Sequence, residues 1–403
     1  MTNIDGQGAG RAAVVGGSIA GCAAATALLQ AGWQVTVFER SAAALGERGF
    51  GIGVPWSFYT HLLDGGFVCP DTHALHTRFR AWIRATDTAP VGWEEFWRQE
   101  ADIATCSWAQ LWTGLRRNVP DAVYRPASAV DAVRADSSGV RLFGGDGEFG
   151  PFDLVIGADG TRSLVRPQVA ARPPYYAGYV VVRGLLDTAA VAGFPEVETV
   201  LAEGIATLVS AGGEVTFFRI PDGDGFRVYW AHFTRAPEHL DPRTELRNGS
   251  SGAAAWGRAA TAAALPAQWS ELVLRTGDVA VWPILESVAD RYVADRLVLL
   301  GDAATLARGS GGRKAIEDAL CLRDCLSAGG DLDSALADYD RQRRPAGNGL
   351  VRFGAWVGEH QLQRMPDWGA MTGADMSNWL SALYSDYQQY LRFHPDLAAD
   401  VAR

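Results

Sequence analysis

Residues 13–40, AVVGGSIAGCAAATALLQAGWQVTVFER, constrain the fold more than any other stretch of the chain. A β-branched run enters a glycine-rich turn, a helix of small residues follows, and a second apolar strand ends in Glu39. This is the order of a βαβ unit that holds a dinucleotide. Gly16 allows the tight turn, and Gly21 lets the helix pack close to the strand. Ser18 takes the middle position, where a small residue lets the backbone approach a pyrophosphate and a hydroxyl reaches a phosphate oxygen. Ile19 and Ala20 belong to the turn, and the small-residue helix expected at 22–31 supplies free N–H groups and a positive dipole end that favour an anion. Glu39, followed by Arg40, stands at the spacing of a carboxylate that binds a ribose diol. A degenerate glycine motif alone is a weak signal, equally at home in a ligand-free α/β turn. The strand before it, the helix after it and the acid at the right distance make it specific.

The rest of the composition narrows the class. At 403 residues the chain exceeds one ordinary domain, so two interleaved domains are expected. No apolar run is long enough for a bilayer, and the polar start MTNIDGQGAG does not read as a signal peptide. A cytoplasmic protein without a membrane partner is expected. A net charge of −10 argues against nucleic acid as a partner. The five cysteines form no zinc-type pair and the seven histidines no HExxH, so reduced thiols and no metal are expected.

Two further loops stand at the ends of predicted strands. Residues 152–156 run into Gly157-Ala158-Asp159-Gly160-Thr161-Arg162-Ser163, and residues 296–300 into Gly301-Asp302-Ala303-Ala304. A strand entering a glycine–acid turn is a ligand-loop pattern at the C-terminal edge of a sheet. Residues 107–118 have helical spacing, with Leu111, Trp112 and Leu115 on one face, and Arg116 and Arg117 read as solvated charges. Residues 175–284 are β-rich, with strands expected at 179–183, 199–201, 215–220 and 226–233, forming a mostly antiparallel sheet. Helices are expected at 252–264, at 313–326, at 334–344 with a stop near Pro345, and in the tail 378–403.

Taken in order, GGSIAG with Glu39, GADGTRS and LLGDAA resemble the single-component (class A) FAD-dependent aromatic hydroxylases over most of residues 12–345. The 2,6-dihydroxypyridine hydroxylase-like group looks closest. It shares the GGS form of the first turn, the stretch Tyr176-Ala177-Gly178-Tyr179 with Arg183-Gly184, and the aromatic strand GFRVYW at 225–230. The resemblance implies an α/β fold in which a Rossmann-like FAD-binding domain of the glutathione-reductase type is interleaved with a mostly antiparallel β-sheet substrate domain, with a helical C-terminus. The expected boundaries are 1–70, 101–170 and 285–360 for the first, 71–100 and 171–284 for the second, and 361–403 for the C-terminal helices.

The resemblance also implies roles. Gly16, Ser18, Ile19, Ala20 and Gly21 would hold the FAD pyrophosphate, and Glu39 with Arg40 the adenosine ribose. Arg48 and Gly51 match the family's RGxGI loop near the flavin, and Arg116 matches a helix arginine on the phosphate or ribityl region. Asp159 and Gly160 form a DG motif associated with FAD and NAD(P)H. Gly301 and Asp302 form a GD motif whose carboxylate binds the ribityl hydroxyls. FAD is long, and loops distant in sequence must hold its two ends. A single βαβ turn with no second GxGxxG fits tightly held FAD and transient NAD(P)H.

The implied reaction is hydroxylation. NAD(P)H reduces the flavin, O2 adds to give a flavin hydroperoxide, and OH passes to an electron-rich aromatic or N-heteroaromatic ring. The expected partners are that small molecule and O2, with a homodimer as the candidate assembly. Arg183, Tyr229 and His232, with Tyr179 and Trp282, are the pocket candidates. Ordinary core packing competes for each aromatic. Arg183 stands out, because a charge within a β-branched strand needs a partner. His61 is a candidate base, with a structural histidine as the competing reading.

Two departures stand against the family pattern. Residues 305–314, TLARGSGGRK, lack the usual proline and are a few residues short, and residues 309–312 read like a flexible linker. Val182 stands where related proteins often carry Trp, which predicts a reshaped pocket. The altered loop motivates an alternative function, a fold-retaining homologue that binds FAD or an aromatic ligand without hydroxylating it.

Overall fold

A computed structural model describes residues 9–43, 45, 50–238, 251–309 and 311–393. Arg48, Ser310 and the end of the tail, 394–403, lie outside the described residues.

The chain opens with the expected βαβ unit: β1 (Arg11–Val15), α1 (Ile19–Gln30) and β2 (Gln34–Phe38). β3 (Gly51–Pro55) and α2 (Trp56–Asp64) lead to the long pair β4 (Leu75–Ala85) and β5 (Trp93–Ser107). α3 (Trp108–Arg116) starts at a capping box in which the Ser107 hydroxyl accepts from the Gln110 N–H, and β6 (Tyr124–Arg125) follows. β7 (Val130–Asp136), β8 (Gly139–Gly144) and β9 (Gly147–Phe152) form a small antiparallel sheet, succeeded by β10 (Leu154–Gly157) and the short α4 (Arg166–Val169). Next come β11 (Tyr175–Asp187), α5 (Pro195–Glu203), β12 (Gly204–Ser210), β13 (Gly213–Asp222) and β14 (Gly225–Thr234). α6 (Ser251–Ala263), α7 (Ala267–Leu274) and β15 (Val279–Glu286) complete this region. The chain ends through β16 (Val293–Ala294), β17 (Leu297–Leu299), α8 (Gly311–Ser327), α9 (Leu332–Gly358) and α10 (Gly373–Phe393). No described helix is long and apolar enough to cross a membrane.

Two large sheets organise these elements. The first has the order β16-β17-β10-β1-β2-β6 and is parallel from β17 to β6. Its strands are buried on both faces, which is why they read as unbroken apolar runs. The small residues of α1 let it lie between this sheet and α8. The second sheet has the order β15-β11-β14-β13-β12-β4-β5-β3 and is antiparallel except where β12 meets β4.

Side chains alternate between the faces of the second sheet. Val180, Val182, Val215, Phe217, Val228 and Trp230 point to one face, which α5, α6 and α7 cover. Val181, Phe218, Ile220, Tyr229 and Ala231 point to the other, where Phe50 and Ile103 join them. We call this second surface the front face.

Several expectations change. Residues 199–201 are helical, not a strand. Pro195 fits the first turn of α5, Glu196 and Glu198 favour its N-terminal dipole, and Val197, Val200 and Leu201 bury one face. Helix α9 does not stop near Pro345. A proline inside a helix costs about 3 kcal/mol, and buried contacts offset it. Asn348 ties the second half to Ala289 by two hydrogen bonds of 2.9 and 2.8 Å. Residues 51–55 and 101–107, placed with the cofactor domain from sequence, pair into the second sheet, because β5 is long enough to hydrogen-bond to both β3 and β4.

Candidate active site

The ends of β17, β10, β1 and β2 lie side by side, so the loops after them share one sheet edge. This brings Gly301-Asp302, Asp159-Gly160, the turn at residues 16–21 and Glu39 together, although they span most of the sequence. Gly16 has φ +101°, and a Cβ at Gly21 would lie 1.8 Å from the Gly16 carbonyl oxygen, so both positions require glycine. Ser18 precedes α1 in an extended conformation, and its side chain makes no capping hydrogen bond. The first-turn N–H groups, beginning at Ile19 and Ala20, are thereby left for an anion.

Glu39 is buried, with one carboxylate oxygen accepting from the Gly17 N–H at 2.8 Å and the other from the Ser41 N–H at 2.7 Å. It locks the glycine turn onto the end of β2, while Arg40 is exposed beside it. Next to it lies a cavity of about 670 Å³ lined by Ser41, Ala43, Trp112, Arg116 and Tyr124, among others. The Gly17 carbonyl accepts from Trp112 Nε1 at 2.9 Å and from the Tyr124 hydroxyl at 3.0 Å. Arg116 lies 4.1 Å above the Tyr124 ring and pairs with Asp121 at 2.6 Å, so it is structured rather than a loose surface charge. Burial pushes the Cys22 thiol beside this turn up to about 12, which makes it unreactive.

At the other end of the edge the groups are more polar. Asp159 Oδ2 accepts from the Leu164 N–H at 2.7 Å, while Oδ1 is buried without a partner and burial raises the carboxyl above its ordinary range. Arg166, also buried, donates from Nη2 to the Ala304 carbonyl at 2.5 Å and leaves Nε and Nη1 unpaired. Its charge acts on both Asp159 and Asp302. Burial raises the Asp302 carboxyl, against the pull of Lys314 and Arg166.

Beneath this turn lies a buried ion network. Lys314 Nζ donates to the Gly301 carbonyl and to Asp318 Oδ2, both at 2.8 Å. Asp318 Oδ2 accepts from the Gly301 N–H at 3.0 Å, and its Oδ1 from Arg343 Nε at 2.8 Å. Burial alone would lower Lys314, but Asp318 outweighs it and holds the ammonium above its ordinary range. Both polar groups of Gly301 are thus fixed by side chains of α8. Sequence reasoning gave Arg166 no role of its own and missed this network. The one local signal was Lys314 and Asp318 four residues apart among apolar positions.

The edge therefore offers a helix N-terminus for an anion at one end and unpaired buried carboxylate and guanidinium atoms at the other. That donor set suits a long dinucleotide carrying hydroxyls along its length.

On the front face, Arg183 lies 4.4 Å above the Phe50 ring and 5.7 Å from Trp282, and its Nε has no partner. Tyr229 is buried in the same cluster. Burial raises its hydroxyl, and Arg183 counters part of that rise. Gly51 backs onto the Phe218 and Tyr229 rings. Between Arg183 on β11 and Glu214 on β13, the small residues Ala231 and Thr216 form a floor.

His232 does not belong here. It stands three residues after Tyr229 and so faces the opposite side, where it bonds to Thr261 Oγ1 at 3.0 Å and the Gly212 carbonyl at 3.1 Å. Val182 also faces the helices, so the valine does not reshape the front face. His61 is exposed on α2, outside the front-face cluster.

His232 carries a measurable consequence. Burial lowers its imidazole from 6.5 to about 4. The unfolded chain binds the proton first, so the stability it contributes is complete above pH 6.5 and is lost as pH falls toward 4. The loss is about 3 kcal/mol. His232→Gln should flatten the pH dependence of the urea midpoint in that window; an unchanged slope would count against a buried neutral His232.

The loop after Asp302 is anchored, not a free linker. The Leu306 and Ser287 backbones exchange two hydrogen bonds of 3.1 Å, Thr305 Oγ1 meets the Tyr292 hydroxyl at 2.9 Å, and Arg308 pairs with Glu214 at 2.5 Å. Gly311 and Gly312 open α8.

A model of the FAD-binding-domain family matches residues 125–354. The chain is 31% identical over 364 residues to 3-amino-4-hydroxybenzoate 2-monooxygenase of Streptomyces cremeus, covering 83% of each protein. The chain belongs to the single-component FAD-dependent hydroxylases. The flavoprotein is also 28% identical to 2,6-dihydroxypyridine 3-monooxygenase of Paenarthrobacter nicotinovorans, over 85% of this chain and 89% of that one. The solved structure of 2,6-dihydroxypyridine-3-hydroxylase from Arthrobacter nicotinovorans superposes with a TM-score of 0.75 at 26% identity, covering 90% and 95% of the two chains. The flavoprotein is thus an aromatic monooxygenase with FAD as its cofactor, and its substrates are aromatic or heteroaromatic.

Proposed function

We propose that the flavoprotein uses NAD(P)H and O2 to hydroxylate a small aromatic or N-heteroaromatic ring seated against the front face of the second sheet. The observation that carries this reading is the single sheet edge bearing all four ligand loops. When bound, FAD supplies the redox and oxygen-activating chemistry.

The protein's own residues bind and orient. The turn at residues 16–21 and the start of α1 hold the pyrophosphate, Glu39 the adenosine ribose, and Arg116 walls the cavity beside it. Asp159 and Asp302 accept from cofactor hydroxyls, with Arg166 between them balancing their charge. Arg183 and Tyr229 meet the ring substrate at one side of the floor formed by Ala231 and Thr216. The apolar walls Phe50, Phe218 and Phe233 keep water from the reacting ring.

The test is direct. The purified protein should be yellow, show an oxidised-flavin spectrum, and oxidise NADH or NADPH faster when an aromatic effector is added. With labelled O2, one labelled oxygen atom should enter the ring product. A colourless protein that takes up no FAD sinks the proposal. FAD binding with oxygen consumption but no hydroxylated product from any ring favours the non-hydroxylating homologue.

A further inference from the structure

After Asp302 the chain makes an excursion and comes back. A Cβ at Gly311, where α8 opens, would lie 3.0 Å from Asp302 Oδ1, and one at Gly312 would lie 3.4 Å from Ile52 Cδ1. Residues 302 and 311 therefore sit side by side. Between them, Arg308 reaches the second sheet.

This loop carries no proline, and glycines stand at 309, 311 and 312. Its own backbone restricts its path little, so tertiary contacts must fix it. Thr305 and Leu306 are tied to Tyr292 and Ser287, on the segment after β15. The contact with β13 and β14 runs through Arg308. Its side chain is 7% exposed and that of Glu214 13%. Arg308 Nη2 donates to Glu214 Oε1 at 2.5 Å, and the Tyr179 hydroxyl hydrogen-bonds to the same guanidinium. The guanidinium lies 3.9 Å from the centre of the Phe233 ring, and Phe233 is the cross-strand partner of Glu214. Helix α9 leaves room for this arrangement. A Cβ at Gly354 would lie 3.4 Å from the Arg308 nitrogen and Cβ, and one at Gly358 would lie 2.8 Å from the Tyr179 hydroxyl.

Glu214 is two residues from Thr216 on β13, and Phe233 two residues from Ala231 on β14, so both belong to the front face. Arg308 thus docks beside the proposed floor, while the two ends of its loop flank Asp302. A buried ion pair gains in attraction about what it loses in desolvation, so stability is a weak reason for one. What the pair does supply is direction. An apolar contact would let a glycine-rich loop slide, whereas a guanidinium bonded to Glu214 and Tyr179 has one position.

We propose that Arg308 is a positioning residue for the hydroxylation. Through Glu214 it sets the distance between the Asp302 edge and the front face, and it keeps water out of the space between them. This rests on the proposed function. In coupled turnover, NAD(P)H, H+, O2 and a ring C–H become NAD(P)+, H2O and a ring C–OH. When the loop is released and water enters, the same NAD(P)H, H+ and O2 end as NAD(P)+ and H2O2, with the ring unchanged.

The experiment uses the FAD-loaded protein. Arg308→Leu combined with Glu214→Gln removes the pair without leaving a buried charge unpaired, so the variant should fold and retain FAD. Two quantities are read: quenching of the flavin fluorescence by iodide, and H2O2 released per NAD(P)H oxidised with the ring that the labelled-O2 assay identifies. Both should rise about threefold as the site opens to water, while FAD content and thermal midpoint stay close to the parent's. Arg308→Lys, which keeps the cation, should fall between parent and double variant. A purely structural pair would lower the midpoint and FAD content and leave both quantities unchanged in the molecules that remain loaded; that result overturns the proposal. An H2O2 share equal to the parent's overturns it as well, and leaves the proposed function standing. If no ring yields product, the proposed function falls, and the rise in iodide quenching alone decides whether Arg308 positions the loop.

Discussion

Asp302→Ala is expected to strip FAD from the purified protein. Asp302 stands at the end of β17, its carboxyl near the charges of Lys314 and Arg166 and raised by burial. Such a group is held there at a cost, which a ligand that hydrogen-bonds to it offsets. Charge-assisted hydrogen bonds contribute about 1.5–3 kcal/mol each, so losing this one corresponds to roughly 10- to 150-fold weaker binding. Flavin fluorescence measures it, because FAD released to solvent becomes brighter than FAD held in a protein. Asp302→Asn keeps the shape and one acceptor and should fall between the two. Retention equal to the parent protein in Asp302→Ala would refute a ribityl contact.

Lys314→Met should cost the most stability. The ammonium joins the Gly301 carbonyl to Asp318 in an environment that excludes water. Its removal leaves Asp318 with the Arg343 guanidinium and the Gly301 N–H, and the Gly301 carbonyl without its side-chain donor. Breaking one partner of a buried ion pair costs about 3–5 kcal/mol. Arg343 remains, which favours the lower end. The urea midpoint of the apoprotein should drop accordingly, and FAD affinity should drop with it, because the Gly301-Asp302 turn loses one of its two anchors. The pH dependence has a defined sign. The Lys314 contribution is complete below pH 10.5 and is lost as pH rises through the higher value the folded state imposes. A Met variant as stable as the parent at pH 7 would mean the pair contributes nothing net.

The sheet edge proposed for the cofactor was legible from the sequence because each of its parts is local. Gly16, Gly21, Glu39, Asp159 and Asp302 each follow a short apolar strand, and a turn at a strand end is a property of a few neighbouring residues. The front face was half legible. Tyr229 and His232 are three apart in one strand, so they cannot share a face, and alternation alone carried that information. Which of the two faces the covering helices was settled by where α6 packs, and Thr261 of that helix claims His232.

The charged network resisted reading for a different reason. Arg308 and Glu214 are separated by 94 positions and join only because β13 and the loop after β17 meet in space. Arg166 likewise reaches Ala304 across 138 positions. No periodicity links such residues. A buried charge shows in sequence only when its partner lies on the same turn of helix, as Lys314 and Asp318 do.

The sequence by itself determined that the chain holds a dinucleotide on a parallel sheet and carries a second, mostly antiparallel sheet. Strand alternation, glycine turns and acids at strand ends are short-range properties that backbone geometry enforces directly. The tertiary structure alone decided which face of the second sheet the helices cover, and that the loop after Asp302 is stapled to the other face. It alone also paired Arg308 with Glu214. Those outcomes depend on packing between distant segments, where burial selects one of two equivalent faces and excluded water makes each unpaired polar atom count.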